Sequence, residues 1–165
     1  MQRHVKFSSL GNKVDPKAPY ITTKRKVNKI IFHCTASKWG DEFGAKKIDQ
    51  VHIEKFGKRS GCGYHYIINV DGTVEKGRWS DYPGAHAKGK NRNTLGVAYA
   101  GGLDKFGKIM AQGMNEAQYR TAKTLLESLR RGYHLRQDDV LGHNELPYVN
   151  KACPCTPMHT LRSYL

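Results

Sequence analysis

The stretch KVNKIIFHCT, from Lys26 to Thr35, decides the fold of this chain. Its centre is a run of β-branched and aromatic residues, which is typical of a strand buried inside a sheet. The segment TASKWG, residues 35–40, closes the run as a loop because it is polar and ends in glycine. We therefore expect a buried strand that carries His33 at its carboxyl end.

The segments that follow this strand predict a helix and a hairpin. Residues 44–58 carry apolar side chains at near-helical spacing, which indicates an amphipathic helix. The stretch GYHYIINVDGTVEKGR predicts two strands joined at Asp71-Gly72 by a two-residue turn. A period of two along the first strand places Tyr64 and Tyr66 on one face of the sheet and His65 on the other.

Two further strands are predicted in the second half of the chain. Residues 95–102, LGVAYAGG, indicate one strand with a glycine-rich exit. Residues 139–143, DVLGH, indicate a short strand that delivers His143 at its end. Beyond it, Thr156-Pro157 is expected to cap and start a terminal helix that continues to Leu165.

The clearest helix opens at Asn115. Asn115 and Gln118 have the spacing of a capping box, and Gly132 lies where a C-cap is expected. The face predicted to point inward consists of Ala122, Leu125, Leu126 and Leu129. This helix is expected to be core architecture rather than a functional surface.

Strands interspersed with helices, together with one antiparallel hairpin, predict an α/β fold. We expect a single domain with a central mixed β-sheet flanked by α-helices. Residues 1–25 contain prolines and scattered lysines and are predicted to form a basic N-terminal arm or lead-in, with a short edge strand at His4 to Phe7. Residues 26–165 then form the domain that carries the function.

The composition disfavours a membrane-spanning protein and indicates an anionic partner. No apolar run approaches the roughly 18 residues that span a bilayer, and the N-terminus lacks the apolar core of a secretory signal. We therefore expect synthesis in the cytoplasm, with thiols or metal ligands rather than disulfides. Lysine and arginine number 28 against 14 acidic residues, a formal charge of +14. Nucleic acid and an anionic cell envelope both fit this charge, and the even spread of basic residues favours the envelope.

Two histidines and a cysteine, distant in the sequence, are candidate metal ligands. His33 and His143 each follow an apolar strand-like run, so both can project from the same edge of one sheet. Cys153 lies in a loop that can fold back beside His143. Taken singly, each histidine is more often structural, and only their joint placement favours a metal. Two imidazoles and a thiolate suit zinc and leave the fourth tetrahedral position for water, as in a catalytic site.

A site of this kind predicts hydrolysis of an amide or an ester. Zinc lowers the pKa of a water molecule to about 7 and polarises a carbonyl group. Negative charge develops on the carbonyl oxygen during the attack, so a cation or hydroxyl opposite the metal stabilises the transition state. Lys151, two residues before Cys153, and Tyr64 are the candidates for this work.

Four ordered blocks of the sequence resemble one known family. They are IIFHCTAS, GYHYIINVDGTVEKGR, GAHAKGKNRNTLGVAYAGG and the pair GHNEL and KACP. The chain resembles the zinc-dependent N-acetylmuramoyl-L-alanine amidases, in particular the small amidase-type phage lysozymes or endolysins, which are related to peptidoglycan recognition proteins. The similarity runs from about Lys26 to Pro154. Four blocks in the same order are more specific than any single ligand spacing.

The resemblance implies an activity and assigns residues to it. It implies that His33, His143 and Cys153 bind Zn²⁺, and that Tyr64 and Lys151 are catalytic. The substrate that it implies is the amide between N-acetylmuramic acid and L-alanine in bacterial peptidoglycan. We assign Lys151 to stabilising the oxyanion and Tyr64 to orienting the water or relaying its proton, and the two roles are interchangeable.

The resemblance also implies a substrate groove and a place of action. It places His86 and Asn93 along the groove, with a turn that carries a solvated histidine as the alternative. A wall hydrolase made in the host cytoplasm without an export signal acts after another, membrane-permeabilising protein releases it. We expect a monomer with no stable membrane insertion, attracted by its charge to anionic wall polymers or lipopolysaccharide.

Two features depart from the family pattern. The loop NELPYVN is slightly longer than in the phage relatives, and Cys155 follows the KACP motif as a second thiol. We favour Cys153 as the metal ligand because it keeps the spacing to Lys151, and Cys155 is the alternative. Cys34 and Cys62 are expected to be buried thiols, and strand alternation places Cys34 on the face opposite the histidine beside it.

Three alternative functions fit parts of the sequence. HNE at residues 143–145 and PC at residues 154–155 resemble the signature of zinc nucleobase deaminases, but Met158 occupies the position of the last thiolate. A non-catalytic peptidoglycan-binding module is the second alternative, which the complete set of ligands disfavours. A basic nucleic-acid-binding protein is the third, and salt-dependent binding to duplex DNA would support it.

Overall fold

The computed structural model describes residues 9–57 and 61–165, which fold around a six-stranded sheet. The edge strand predicted at His4 to Phe7 lies outside the described residues. The strands are β1 (Lys13–Val14), β2 (Lys29–Cys34), β3 (Ser37–Lys38), β4 (Tyr66–Ile68), β5 (Val74–Lys76), β6 (Thr94–Tyr99), β7 (Gly102–Leu103) and β8 (Val140–Gly142). The helices are α1 (Ala45–Phe56), α2 (Glu116–Gly132) and α3 (Met158–Arg162). None of these three helices is long and apolar enough to cross a membrane.

The sheet is mixed, with the strand order β1-β5-β4-β6-β2-β8. β4, β6, β2 and β8 run parallel, whereas β5 pairs antiparallel with both β4 and β1. β2 lies between two parallel neighbours, which explains why its centre is continuously apolar. The mixed sheet with helices packed against it confirms the predicted α/β fold class. His33 is the penultimate residue of β2, as predicted for the strand's carboxyl end.

Successive residues of β2 face opposite sides of the sheet. Phe32 and Cys34 belong to the larger core, which α2 covers. Ile31 packs on the other side, where it contacts the cluster that includes Leu146. Alternation places His33 on this second side with Ile31, so Cys34 does face away from it as predicted.

The capping box predicted at the start of α2 is present. Asn115 Oδ1 accepts a hydrogen bond from the Gln118 amide at 2.8 Å, and Gln118 Oε1 accepts one from the Asn115 amide at 3.1 Å. The helix extends through Gly132 and is capped by Tyr133, so the C-cap prediction is one residue early. A Cβ atom at Gly132 would collide with Ile21, and glycine therefore lets the N-terminal segment pack against the helix. The predicted inward residues are all fully buried: Ala122, Leu125, Leu126 and Leu129.

The hairpin between β4 and β5 is confirmed, but the prediction of a two-residue turn is wrong. The Asn69 amide donates to the Thr73 carbonyl at 2.8 Å, and the Gly72 amide donates back to the Asn69 carbonyl at 2.9 Å. Gly72 has a φ of 83°, a left-handed conformation that follows a tight turn in three-residue hairpin loops. The Asp71 carboxylate accepts hydrogen bonds from the amide and hydroxyl of Thr73, which stabilises the longer loop.

The prediction that Tyr64 and Tyr66 share a face is also wrong. β4 begins at Tyr66, and the chain bends at His65, so the period of two does not extend back to residue 64. Tyr66 is buried in the core beneath α2, whereas Tyr64 packs against the smaller core that includes Ile48 of α1. The bend therefore moves Tyr64 to the side of the sheet that carries His33.

Three smaller differences concern element ends. α1 occupies Ala45–Phe56, inside the predicted range, but the loop predicted at residues 35–40 contains β3, which pairs with β7. The strand predicted over residues 95–102 is divided into β6 and β7 by a turn. α3 is capped by Pro157 without a side-chain hydrogen bond from Thr156, and it ends at Arg162. The buried Thr156 hydroxyl is not at the N-cap position, so it cannot serve the first turn.

The described part of the segment before residue 26 lies against the sheet. β1 pairs with β5, and the Arg25 guanidinium donates hydrogen bonds to the carbonyls of Arg92 and Thr94, both at 2.9 Å. These contacts attach the segment to the β4–β6 region. The division of the chain into residues 1–25 and 26–165 stays a prediction.

Candidate active site

The three predicted metal ligands lie together at the carboxyl ends of β2 and β8. These strands are parallel neighbours, so His33 near the end of β2 and His143 directly after β8 meet at one edge of the sheet. The Asn144 amide donates to the Cys153 carbonyl at 2.9 Å and brings that loop back beside His143. One ligand atom from each of the three side chains lies within 4.8 Å of the others. No fourth His, Cys, Asp or Glu of residues 9–57 and 61–165 joins this group.

A chain of hydrogen bonds leaves the nitrogen of His33 that faces Cys153 unprotonated. The Thr94 hydroxyl donates to the Lys90 carbonyl at 2.9 Å, so it accepts from His86 Nε2, which lies 3.3 Å away. His86 Nδ1 is then unprotonated and accepts from His33 Nε2 at 2.9 Å. This assignment leaves a lone pair on His33 Nδ1, which is 3.6 Å from Cys153 Sγ.

The environment shifts the pKa values of the ligand side chains towards their metal-binding protonation states. Burial lowers the pKa of His33 and of His143, and it lowers the pKa of His86 to about 3, so all three imidazoles are neutral at pH 7. A hydrogen bond from the Cys34 thiol lowers the pKa of Cys153, and the Cys34 backbone amide, 3.3 Å from the sulfur, lowers it further. Neutral imidazole and thiolate are the forms that ligate metals.

Cys155 is separated from this group. Its sulfur is buried and lies 3.8 Å from the Cys34 sulfur, on the side of β2 that faces α2. The structure therefore places Cys153, and not Cys155, with the two histidines. Cys34 and Cys62 are both buried free thiols, as predicted.

Tyr64 and Lys151, the two predicted catalytic residues, differ in their surroundings. The Tyr64 ring centroid is 5.1 Å from that of His33, and burial raises the pKa of Tyr64 well above its usual value. The phenol is therefore a neutral hydrogen-bond donor at pH 7. Lys151 is exposed and lines an open cavity of about 430 Å³ that also reaches His143 and His86.

This cavity is basic and is bordered by the loop after β8. Lys88, Lys90 and Lys151 all line it. Residues 146–149 form part of its wall, and Tyr148 among them is fully exposed with a φ of 64°. A cavity of this size with cationic walls suits an anionic or polar chain next to the ligand group.

His86 is in the site, but Asn93 is not among the residues that line the cavity. Asn93 ends a 3₁₀ turn, and its carbonyl accepts a hydrogen bond from the Asn28 amide at 2.9 Å. Asn91 was not predicted as a site residue. Its side-chain oxygen accepts hydrogen bonds from the amides of His86 and Ala87 at 3.0 and 2.9 Å. Nothing in the sequence KNRN distinguishes the two asparagines, because the 3₁₀ turn alone decides which side chain points inward.

The sequence and fold are similar to those of known wall-active proteins. The pattern of the N-acetylmuramoyl-L-alanine amidase family matches residues 23–156. The endolysin of Escherichia phage T7 is 40% identical over 126 residues, which cover 76% of this chain and 78% of the phage protein. The endolysin of Klebsiella phage KP32 is 35% identical over 133 residues, 81% of this chain and 83% of that protein.

Solved structures share the fold. An N-acetylmuramoyl-L-alanine amidase endolysin from Clostridium intestinale superimposes with a TM-score of 0.69 at 22% identity, covering 96% of this chain and 91% of that one. Drosophila peptidoglycan recognition protein SD superimposes with a TM-score of 0.63 at 24% identity, covering 87% and 83%. At these identities the structural matches show the architecture alone.

Proposed function

The chain belongs to the N-acetylmuramoyl-L-alanine amidase family, and from that membership and its site geometry we propose a zinc-dependent endolysin. It hydrolyses the amide between N-acetylmuramic acid and L-alanine in bacterial peptidoglycan. The observation that carries the zinc dependence is the convergence of His33, His143 and Cys153 within 4.8 Å.

The donor set fits zinc in chemistry, and the separation of one donor pair also fits. Zn–N distances of about 2.0–2.1 Å and a Zn–S distance of about 2.3 Å at a tetrahedral angle place nitrogen and sulfur about 3.6 Å apart. The separation of His33 Nδ1 and Cys153 Sγ is 3.6 Å. Three protein ligands without a fourth in the described residues correspond to a catalytic rather than a structural site.

When bound, a zinc ion lowers the pKa of a water molecule to about 7 and polarises the scissile carbonyl. Two residues around the zinc site have separate catalytic roles. Lys151 brings a positive charge from the open side of the site and stabilises the developing oxyanion. Tyr64, a neutral phenol beside His33, orients the attacking water by hydrogen bonding or relays its proton.

His86 positions the His33 ring. Its Nδ1 accepts the hydrogen bond from His33 Nε2 and holds the ring with Nδ1 towards Cys153. A partner of this kind on the non-ligating nitrogen fixes the orientation of a metal-binding histidine. His86 is thereby a positioning residue, and it also lines the cavity in which we place the glycan and stem peptide. Asn93 does not line this cavity, and its role as a substrate contact stays a prediction.

The charge of +14 supports a second part of the proposal. The protein acts on the cell wall as a monomer, drawn to acidic wall polymers or lipopolysaccharide, after a membrane-permeabilising partner releases it from the host cytoplasm. Attraction of this type weakens as the salt concentration rises. Wall binding that is independent of salt would contradict it.

The decisive test identifies the chemical ends that the purified protein produces from peptidoglycan. New L-alanine amino termini are expected, lost on chelation and restored by zinc. New reducing sugar ends would contradict the amidase mechanism. Full activity of the protein after its metal has been removed completely would contradict the zinc dependence. Binding to the wall without any new ends would favour the non-catalytic module instead.

Two cysteine variants provide the matched control for the metal site. Cys153→Ser is expected to abolish hydrolysis and zinc binding, because a hydroxyl is a much weaker zinc ligand than a thiolate. Cys155→Ser is expected to keep both, since the Cys155 sulfur is buried beside Cys34 and lies outside the group of three ligands. Equal losses in the two variants would contradict the assignment of Cys153.

A further inference from the structure

A second cavity lies on the face of the sheet opposite the candidate active site. It has a volume of about 440 Å³, and its floor includes Lys76 at the end of β5. Lys76 is paired directly with Tyr66, so the two side chains share a face. Tyr66 is buried in the core beneath α2, whereas His33 faces the other side. This cavity is therefore separate from the one beside Lys151.

Residues that precede the family match build much of this cavity. The amidase family pattern begins at residue 23. The cavity is lined by Ser9, Asn12, Val14, Tyr20, Thr22, Lys76, Trp79, Ser80 and Asp81. The first five of these lie before residue 23, so the cavity belongs to this chain's N-terminal segment rather than to the matched region alone.

Lys76 is a buried cation whose pKa is lowered by burial, and the charge of Asp81 in the same cavity opposes that lowering without a direct ion pair. Its side chain belongs to a residue that is only 7% exposed, and no carboxylate of the described residues lies within the 4.0 Å of an ion pair with it. Nζ donates to the Tyr20 carbonyl and to the Tyr66 hydroxyl, both at 3.3 Å. Nζ also lies 5.4 Å from the Tyr20 ring centroid and 4.8 Å from that of Tyr66. An ammonium group has three donors, so one is left without a hydrogen bond to the described residues. The Asp81 carboxylate at the rim is instead engaged by the Lys24 amide at 2.7 Å.

Ser80 adds a second unused polar group. It is 4% exposed, and its hydroxyl has no hydrogen-bond partner in the described residues. A buried hydroxyl without a partner costs about 1–3 kcal/mol. One ammonium donor of Lys76 and the Ser80 hydroxyl, neither used in a hydrogen bond of the described residues, line this cavity, and an oxyanion bound between them would accept from both.

The rim of the cavity carries two aromatic rings. Tyr20 is 67% exposed, and Trp79 is 37% exposed with its indole nitrogen donating to the Ser9 hydroxyl at 2.7 Å. Exposed rings beside polar groups offer a flat surface for the apolar face of a sugar. The volume of about 440 Å³ accommodates a body of monosaccharide size.

We propose that this cavity binds a sugar that carries an oxyanion, with the carboxylate or phosphate on Lys76 and Ser80 and the ring against Trp79. Carboxylated sugars occur in peptidoglycan fragments, and phosphorylated sugars in anionic envelope polymers, and both present the same chemistry to the lysine. The site adds a second point of attachment to the wall on the side away from the scissile bond. It does not depend on the catalytic mechanism.

The binding test uses the emission of Trp79 in the full chain. Trp39→Phe removes the other tryptophan and leaves Trp79 as the single indole reporter. The probes are N-acetylmuramic acid, N-acetylglucosamine 6-phosphate and, as the neutral match, N-acetylglucosamine. A saturable change with either acid and none with the neutral sugar is expected, and comparison of the two acids distinguishes carboxylate from phosphate. An equal response to the neutral sugar, or no response to either acid, would overturn the proposal.

Variants test whether acid binding depends on this cavity rather than on the overall charge or on the active site. Lys76→Met should weaken acid binding at least tenfold, whereas Lys108→Met, which removes an exposed lysine elsewhere, and Lys151→Met in the other cavity should not. Ser80→Ala should weaken it several-fold with the fold intact by circular dichroism. Unchanged binding in both Lys76→Met and Ser80→Ala would refute the assignment. Lys76→Met should still hydrolyse peptidoglycan, so failure of this inference is distinguishable from failure of the amidase proposal.

Discussion

Replacing His86 by alanine tests the hydrogen bond that holds the His33 ring. His33 is 1% exposed, so its Nε2–H would lose its acceptor in an environment that water reaches poorly. Without metal, the His33 proton can move to Nδ1, which faces the Cys153 sulfur at 3.6 Å, and the loss is then small. With zinc on Nδ1 the proton is confined to Nε2. The cost of a buried donor without a partner, about 1–3 kcal/mol, therefore falls on the zinc-bound form.

That cost predicts zinc binding weaker by roughly 5- to 150-fold, measured by competition with a chromophoric chelator at pH 7.5. His86→Asn is the matched control, because its Oδ1 is attached to Cγ as Nδ1 is and accepts the same hydrogen bond. We expect His86→Asn to recover much of the affinity. Wild-type affinity in His86→Ala, or an equal loss in both variants, would show that this hydrogen bond does not position the ring.

Three further results are expected. Lys151→Met should lower kcat about 10²–10³-fold, as for the loss of an oxyanion donor, with zinc affinity unchanged; a rise in KM with an unchanged kcat would assign Lys151 to substrate binding instead. The metal-free protein should lose thermal stability as the pH falls from about 6.5 towards 4. Burial holds the pKa of His86 at about 3 in the fold, so the unfolded chain takes up the proton first; a melting temperature that stays constant over this range would contradict it. Leu126→Ala, in the fully buried face of α2, should lower the free energy of unfolding by about 2–5 kcal/mol in urea titrations, and a loss below 1 kcal/mol would mean that the core closes around the gap.

Most of the architecture could be predicted because it depends on local patterns. The apolar run before His33, the capping box at Asn115 and the stripe along α2 each act within a few residues, and each is present in the structure. The errors arose where a neighbouring segment overrides the local pattern. The bend at His65 is one case: it interrupts the alternation and moves Tyr64 across the sheet.

The candidate site was predictable in its composition and less so in its geometry. Parallel strands bring their carboxyl ends together, so two histidines that follow such strands can be expected to meet. The sequence left Cys153 and Cys155 as alternatives, since both lie in one loop. Which sulfur joins the histidines depends on how that loop packs: Cys155 is buried in the core beneath α2, whereas Cys153 lies at the margin of that core, within reach of His33 and His143.

The amino-acid sequence by itself determined the strand and helix pattern, the family and the identity of the three side chains that suit a metal. These follow from residue type and spacing along the chain. Only the tertiary structure decided which nitrogen of His33 faces the cysteine and which asparagine supports His86, and it alone brought an N-terminal segment over Lys76. Such features depend on distances between atoms that lie tens of residues apart, and hydrogen bonds and desolvation change over fractions of an ångström.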